Sequence, residues 1–579
     1  MSWPQSLPPP SLTGIGIAIM RMARTLATWR RRRRTSPAWT AVVALILGVV
    51  ALPVVTVLAL ALSPSDNIWP HLVRTVLPGS LARTLLLTAG AGTLCFAVGT
   101  SAAWLITMYR FPGRALLDRL LVLPLAVPSY IVAYCYVELL DYAGPLQTGL
   151  RSAFGWQGAS DYWFPQVRSL PGAVLIFSAV LYPYVYLTAR ASFAQQSVCV
   201  LEVARTLGRT PFRAFLEVAL PLARPAIVAG VALVVMECLN DLGAVQYLGV
   251  ETLSASIYTT WMQRSNLGGA AQIAAVTLLI VVALLATERR ARGSARVHHT
   301  TGRYRSIPFH DLEGWKGYAA AALVSLPFVA GFVVPLLVIL QGAATHSSGA
   351  IEGGFLAAAG NSLALASTAA AAAVAVALTL GYARRVAANG FIRPGVRLAG
   401  VGYAIPGTVL AIGLLYPLAA FDNRVDAFLR DSFGVSSGLL LSGSVFAITL
   451  AYVIRFLAVA HGQIEAGLER ISLNLDAAAR TLGESALSTL WRVHLPLLVA
   501  PLGAAALLVF VDCMKELPAT LLLRPFNFET LATHVYGLAS IEQLEQAALG
   551  SLTIVLVGLV PVLLLHKAIA GGRPGSGPN

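Results

Sequence analysis

Twelve stretches of mostly apolar residues punctuate this chain, at 41–63, 84–108, 120–140, 170–189, 225–248, 268–287, 318–341, 361–383, 398–420, 439–460, 500–523 and 548–567. Each reaches the roughly 20 residues that a helix needs to cross a bilayer. In lipid, only a helix or a closed barrel satisfies every backbone N–H and C=O without water. The alternation at period two that barrel strands require is absent. The expected fold is therefore an all-α integral membrane protein with twelve transmembrane helices, in contact with membrane lipid. Hydrophobic residues supply 57% of the 579 positions and charged residues 12%, which excludes a soluble domain of ordinary composition.

A net charge of +15 raises the question of nucleic acid. The cations instead gather in the N-terminal arm and in alternate loops, as they do on the cytoplasmic side of membrane helices. Both termini are expected in the cytoplasm, with the run Arg30 to Arg34 fixing the orientation and no nucleic-acid partner implied. The Arg-rich arm and the long first apolar run do not make a cleavable signal. Cys95, Cys135, Cys199, Cys238 and Cys513 lack CxxC or metal-ligand spacing and read as small apolar packing residues.

The chain also repeats itself. Ala204-Arg205-Thr206-Leu207-Gly208 recurs as Ala479-Arg480-Thr481-Leu482-Gly483, and each copy is followed by Leu-Pro, at Leu220-Pro221 and Leu495-Pro496, a 275-residue period. Arg83-Thr84-Leu85 likewise corresponds to Asn361-Ser362-Leu363, and Pro128 to Pro406, at an offset of 278. Residues 288–316 are polar without a repeat partner and form the joint. The expected organisation is an N-terminal arm (1–38), a first six-helix repeat (39–287), a linker (288–316), a second repeat (317–567) and a tail (568–579). An even number of spans per half gives both halves the same orientation, with a pathway between them. Pro and Gly are common in membrane helices, but Pro128 and Pro406 sit at matching points, so a bend beside the pathway is expected in each half.

The repeated segment falls in a loop expected in the cytoplasm. Gly208 and Gly483 can end a short helix at positive φ. Arg209, Arg213 and Glu217 then share one face of a second short helix, before Pro221 or Pro496 opens the next span. Two copies at one spacing favour a docking surface over an incidental amphipathic loop. Here the chain resembles the permease subunits of binding-protein-dependent ABC importers, whose hallmark is Glu-Ala-Ala, three residues, Gly, nine residues, Ile, one residue, Leu-Pro. The first copy reads Glu202-Val203-Ala204, Gly208, Val218 and Leu220-Pro221. The second reads Ala477-Ala478-Ala479, Gly483, Val493 and Leu495-Pro496, with Asp476 as the nearest carboxylate to the missing Glu. The resemblance implies that Glu202, Ala204, Arg205, Asp476, Ala477, Ala479 and Arg480 lie where an ATPase subunit docks. It further implies two ATPase copies binding ATP and Mg, a periplasmic substrate-binding protein, a bacterial inner-membrane location, and a transport subunit that is not itself an enzyme. A P-loop needs Gly-Lys, whereas Lys316, Lys515 and Lys567 follow Trp, Met and His, so ATP hydrolysis must come from another subunit.

Glu237 and Asp241 fall in the fifth span, Asp512 and Glu516 in the eleventh, again 275 apart. Spacing i, i+4 puts each pair on one helix face, and a charge at mid-membrane costs about 2.5–3.5 kcal/mol unless it meets a polar interior. Two readings stand: carboxylates lining a path, or an ion-pair network with Lys515 and Arg524. Oxygen donors suit hard cations. The segments Met236 to Thr252 and Val511 to Pro525 resemble the ferric-iron branch of the permease family, which implies ferric iron as cargo. Thiamine or polyamine importers, and an ion-gradient-driven secondary transporter, are the alternatives. His298-His299 in the linker read as solvated, and no catalytic constellation or metal site is assigned.

Overall fold

A computed structural model describes residues 37–196, 209–292, 310–350, 354–387 and 390–571. Among these residues, ten helices are long and apolar enough to cross a bilayer. Two further candidates are bent helix pairs, each with the shape of a broken span or a re-entrant loop: Arg114–Ala126 with Ser129–Phe154 at 95°, and Ile392–Ala404 with Gly407–Phe433 at 111°. Counting each pair as one span gives twelve. The stretches 120–140 and 398–420 are thus broken helices, and the breaks fall at the two matched prolines. Pro128 (φ −59°, ψ 144°) and Pro406 (φ −57°, ψ 143°) each cap the outgoing helix. The physical reason is local: a proline lacks the N–H that would continue the ladder, and it pushes the preceding residue out of helical space. Val127, at φ −100° and ψ 118°, shows that displacement.

Two other expected spans end early. Helix Leu220–Asn240 stops before a separate short helix, Gly243–Tyr247. Helix Leu495–Met514 stops before Pro518–Leu523. Hence Glu237 and Asp241 do not share one helix face, nor do Asp512 and Glu516. The interruptions, 241–242 and 515–517, are only two and three residues long and lie between apolar stretches, so hydropathy averaged over some twenty residues passes across them.

At their other ends these helices are longer than expected, beginning at Phe212 and Ala486 and running 29 residues each. The second short helix of each repeated segment is therefore continuous with the membrane helix. The junction is a π-helical turn in both copies, Phe215–Ala219 and Leu490–His494. There Leu220 N–H donates to Phe215 O, and Leu495 N–H to Leu490 O. The wide turn displaces the carbonyl that the ring of Pro221 or Pro496 would otherwise strike.

By contact the chain forms two compact units. One comprises Met1–Ala51, Ala371–Tyr403 and Phe456–Ala506; the other comprises Leu52–Ala370, Ala404–Arg455 and Leu507–Asn579. In the first, the small buried side chains of Ala373 and Ala377 line the helix that brings Gly381 against Ile464 and Leu468, the close approach that small residues permit between membrane helices. In the second, helices Leu77–Met108 and Leu170–Gln195 lie along one another, with Cys95 Sγ 3.7 Å from Ser178 O. Cys95, Cys135, Cys238 and Cys513 are buried thiols, as packing residues should be; Cys199 lies outside the described residues. Besides helices, Tyr109–Arg110 pairs in parallel with His310–Asp311.

Candidate functional site

Glu202, Ala204, Arg205 and Gly208 of the first repeated segment lie outside the described residues, as do His298 and His299. The second segment is described in full. Ser472 caps helix Leu473–Thr481, which carries Asp476, Ala477, Ala479 and Arg480. Gly483 follows at φ +85°, the left-handed turn expected of it. Ser485 then caps the turn that leads through Leu495 and Pro496 into the membrane helix.

Both segments leave large apolar side chains in the open at matching positions. Phe212 is 69% exposed and its counterpart Leu487 58%; Leu216 is 43% exposed and its counterpart Trp491 65%. A second match is electrostatic. Arg209 Nε lies 3.1 Å from Glu217 Oε2, while Glu484 and Arg492, at the same two repeat positions with the signs exchanged, lie 3.0 Å apart. An exposed ion pair adds little stability, but its survival with inverted charge shows that the two segments share a geometry.

Asp476 is engaged within the protein. It is buried, with Arg385 Nη2 donating to Oδ2 at 2.5 Å and Nε to Oδ1 at 3.2 Å. Arg385 also donates to the carbonyls of Leu468 (2.6 Å) and Ile471 (2.9 Å), which closes the end of helix Val445–Arg470 onto the segment. His494 Nε2 approaches Asp476 Oδ1 at 3.3 Å. Burial opposes the Asp476 charge, yet the hydrogen bonds and charge of Arg385, with His494 and Arg480, prevail and hold its carboxyl below the usual range. The exposed position at the head of the motif is Ala477, which offers no charge.

In the membrane core, Asp241 and Glu516 each reach forward to cap the short helix that follows. Asp241 Oδ1 accepts from Ala244 N–H at 2.9 Å and Val245 N–H at 3.3 Å, and Ser129 Oγ donates to Oδ2. Glu516 accepts from Ala519 N–H at 3.0 Å, and from Thr520 N–H at 3.1 Å and Oγ1 at 2.8 Å. Arg455, 7% exposed, stands 3.6 Å from Glu516, which is 2% exposed. Its Nη1 also donates to Asn240 Oδ1 at 2.7 Å, and that same oxygen accepts Gly407 N–H at 2.8 Å. Gly407 permits this approach, because a Cβ there would lie 2.9 Å from both Arg455 Nη1 and Glu516 Oε1. Asn240 thus ties the end of one broken span to the start of another.

Glu237 and Asp512 meet around Lys515. Lys515 Nζ lies 3.0 Å from Asp512 Oδ1, and Glu237 is within its electrostatic reach. Arg524, the other cation considered as a partner, pairs with Glu529. Among the described residues no three His, Cys, Asp or Glu gather as a metal-holding group. Arg455 falls within the apolar stretch 439–460 but has no role in the sequence analysis, which also missed Asn240, Ser129 and Arg385. A lone arginine in a span was the available signal, since such a charge must find a partner.

Residues 96–289 match the family of binding-protein-dependent transport system inner membrane components. The chain is 26% identical over 493 residues to an Fe(3+)-transport system permease protein of Haemophilus influenzae, covering 84% of this chain and 89% of that one. It is 29% identical over 201 residues to the molybdenum transport system permease of Escherichia coli, 34% of this chain and 84% of the other. It is 28% identical over 228 residues to a sulfate transport system permease of Salmonella typhimurium, 38% of this chain and 77% of the other. These relatives are transport permeases, not enzymes.

Two outcomes follow from the ion pairs. Arg455→Met should destabilise the protein by about 3–5 kcal/mol, since it strands a buried carboxylate. Arg455→Met with Glu516→Gln should recover part of that loss, because the carboxamide keeps a capping acceptor without the charge; thermal unfolding in detergent checks both. For Asp476, the lowered value means that its contribution is in place above the ordinary carboxylate value of 3.8 and is lost as pH falls through the depressed one. Asp476→Asn should therefore flatten the acid limb of the melting-temperature profile relative to the parent.

Proposed function

We propose that this permease of a binding-protein-dependent importer, a multi-pass protein of the bacterial inner membrane, carries ferric iron into the cytoplasm. One observation carries the cargo: the similarity to the ferric permease spans 84% of the chain and so takes in both repeats, whereas the molybdenum and sulfate relatives match 34% and 38% of it. The core chemistry points the same way. Glu237, Asp241, Asp512 and Glu516 supply hard oxygen donors, and the cations Arg455, buried, and Lys515, half-buried, are engaged with carboxylates rather than presented to an anion such as sulfate.

The energy source in this reading is a separate ATPase that binds ATP and Mg, with one copy on each repeated segment and the exposed pairs Phe212/Leu216 and Leu487/Trp491 as its seats. Each seat leads without interruption into a membrane helix of 29 residues that ends beside the carboxylates. A continuous helix of this kind conveys movement of the ATPase to the core. A periplasmic binding protein delivers the ion on the opposite face, and both termini lie in the cytoplasm. Because Ala477 is uncharged and Asp476 is committed to Arg385, the second seat holds its ATPase through apolar contact alone at the head of the motif.

In proteoliposomes holding the permease, its ATPase and its binding protein, uptake of labelled ferric iron should require ATP. Glu237→Gln with Asp512→Asn should lower it about tenfold or more while the ATPase still co-purifies. Uptake without ATP, or an undiminished rate in that variant, would overturn the respective assignment. Gly483→Pro cannot adopt positive φ; it should release or uncouple the ATPase, read as lost co-purification or as ATP hydrolysis without transport.

A further inference from the structure

Three tyrosine hydroxyls in the core, those of Tyr130, Tyr134 and Tyr247, are buried without a hydrogen-bond partner among the described residues. Tyr130 and Tyr134 are each only 3% exposed. A buried hydroxyl left without a partner is costly, so three together call for a use. They are neighbours: the Tyr130 and Tyr134 rings lie 5.8 Å apart, and those of Tyr134 and Tyr247 4.4 Å apart.

Their setting is graded. Helix Ser129–Leu140 begins at the Pro128 break and carries Tyr130, Tyr134 and Glu138 at i, i+4 and i+8, one stripe of oxygen-bearing side chains. At the Tyr130 end stand Asp241 and Glu516, both within its electrostatic reach. At the other end, Tyr134, Glu138 and Glu545 line one cavity of about 140 Å³. Asp141 and Glu542 lie near, on loops that the charge distribution places outside, and Arg168 offsets both at 3.5 and 3.2 Å. The stripe belongs to one repeat only. At the matching positions the second has Thr408, Ile412 and Tyr416, and the Thr408 hydroxyl, two residues past the other break, is likewise buried without a partner among the described residues.

We infer that Tyr130 and Tyr134 form an oxygen ladder that ligates ferric iron in transit between the acidic cavity at Glu138 and the carboxylate of Asp241; this inference rests on the ferric reading above. A phenol coordinates a trivalent ion as phenolate. The Fe–O(phenolate) bond forms as a bond from the ferric ion to a bound hydroxide breaks, the phenolic proton passes to that hydroxide, which leaves as water, and the iron stays ferric throughout. Two successive phenolate sites four residues apart let the ion move one helical turn without ever being bare in the membrane.

The test pairs spectroscopy with transport. Purified full-length permease titrated with ferric nitrilotriacetate should develop a visible phenolate-to-iron charge-transfer band. Tyr130→Phe with Tyr134→Phe should abolish the band and lower ATP-dependent iron uptake about tenfold. The hydroxyls bond to nothing in the described protein, so this variant should melt at or above the parent temperature. A merely structural role would leave both band and transport unmoved. Iron uptake by the parent with no band, and at an unchanged rate in the variant, would overturn the ladder and leave the cargo standing. No iron uptake by the parent complex would overturn the cargo, and the ladder with it.

Discussion

A helix broken inside a bilayer exposes backbone groups to a solvent that cannot bond them, and the core of this protein is organised around that constraint. Two spans bend at Pro128 and Pro406, and two more stop at Asn240 and Met514. Three of the four restarts are met by a polar side chain. Asp241 and Glu516 take up the first N–H groups of the restarted helices, and Asn240 takes up that of Gly407. The carboxylates are therefore structural and polar at once: they hold the breaks open and make the breaks hospitable to charge. A path for a cation can exist only where such breaks are satisfied, so the capping bonds come before any transport role in the physical order.

The repeats are alike in skeleton and unlike in chemistry. Matching prolines, π turns and exposed apolar side chains recur with the same spacing, and the Arg209–Glu217 pair returns with its signs exchanged as Glu484–Arg492. At the centre the symmetry ends. Ser129 donates to Asp241 in the first repeat, whereas its counterpart is Gly407, whose missing side chain leaves room for Arg455 to reach Glu516. Asn240 is matched by Lys515, so a neutral bridge on one side faces a charge shared between two acids on the other. Two equivalent halves would offer an ion the same surroundings from either side; these do not.

Hydropathy located the spans because burying apolar side chains in lipid depends on composition averaged over some twenty residues, and both matched prolines were legible as bends because proline acts through its own ring. The same averaging concealed the stops at Asn240 and Met514. Asp241 and Glu516 were visible as intramembrane charges, but the i, i+4 reading placed each beside its partner on a continuous helix. The break turned it instead toward the backbone ahead. Asp476 was similarly visible as a carboxylate, but nothing local to it announces Arg385, 91 residues earlier.

What the sequence determined by itself is what depends on neighbouring residues: the membrane class, the duplication, the left-handed turn at Gly483, the bends. Tertiary structure alone decided how each charge is used. Whether a carboxylate caps a helix, anchors an arginine or meets a lysine depends on which distant group arrives beside it, and burial in a medium of low polarity makes that choice worth several kcal/mol. The clustering of Tyr130, Tyr134 and Tyr247 is of the same kind. Spacing puts the first two on one face, but only packing leaves their hydroxyls without a bond.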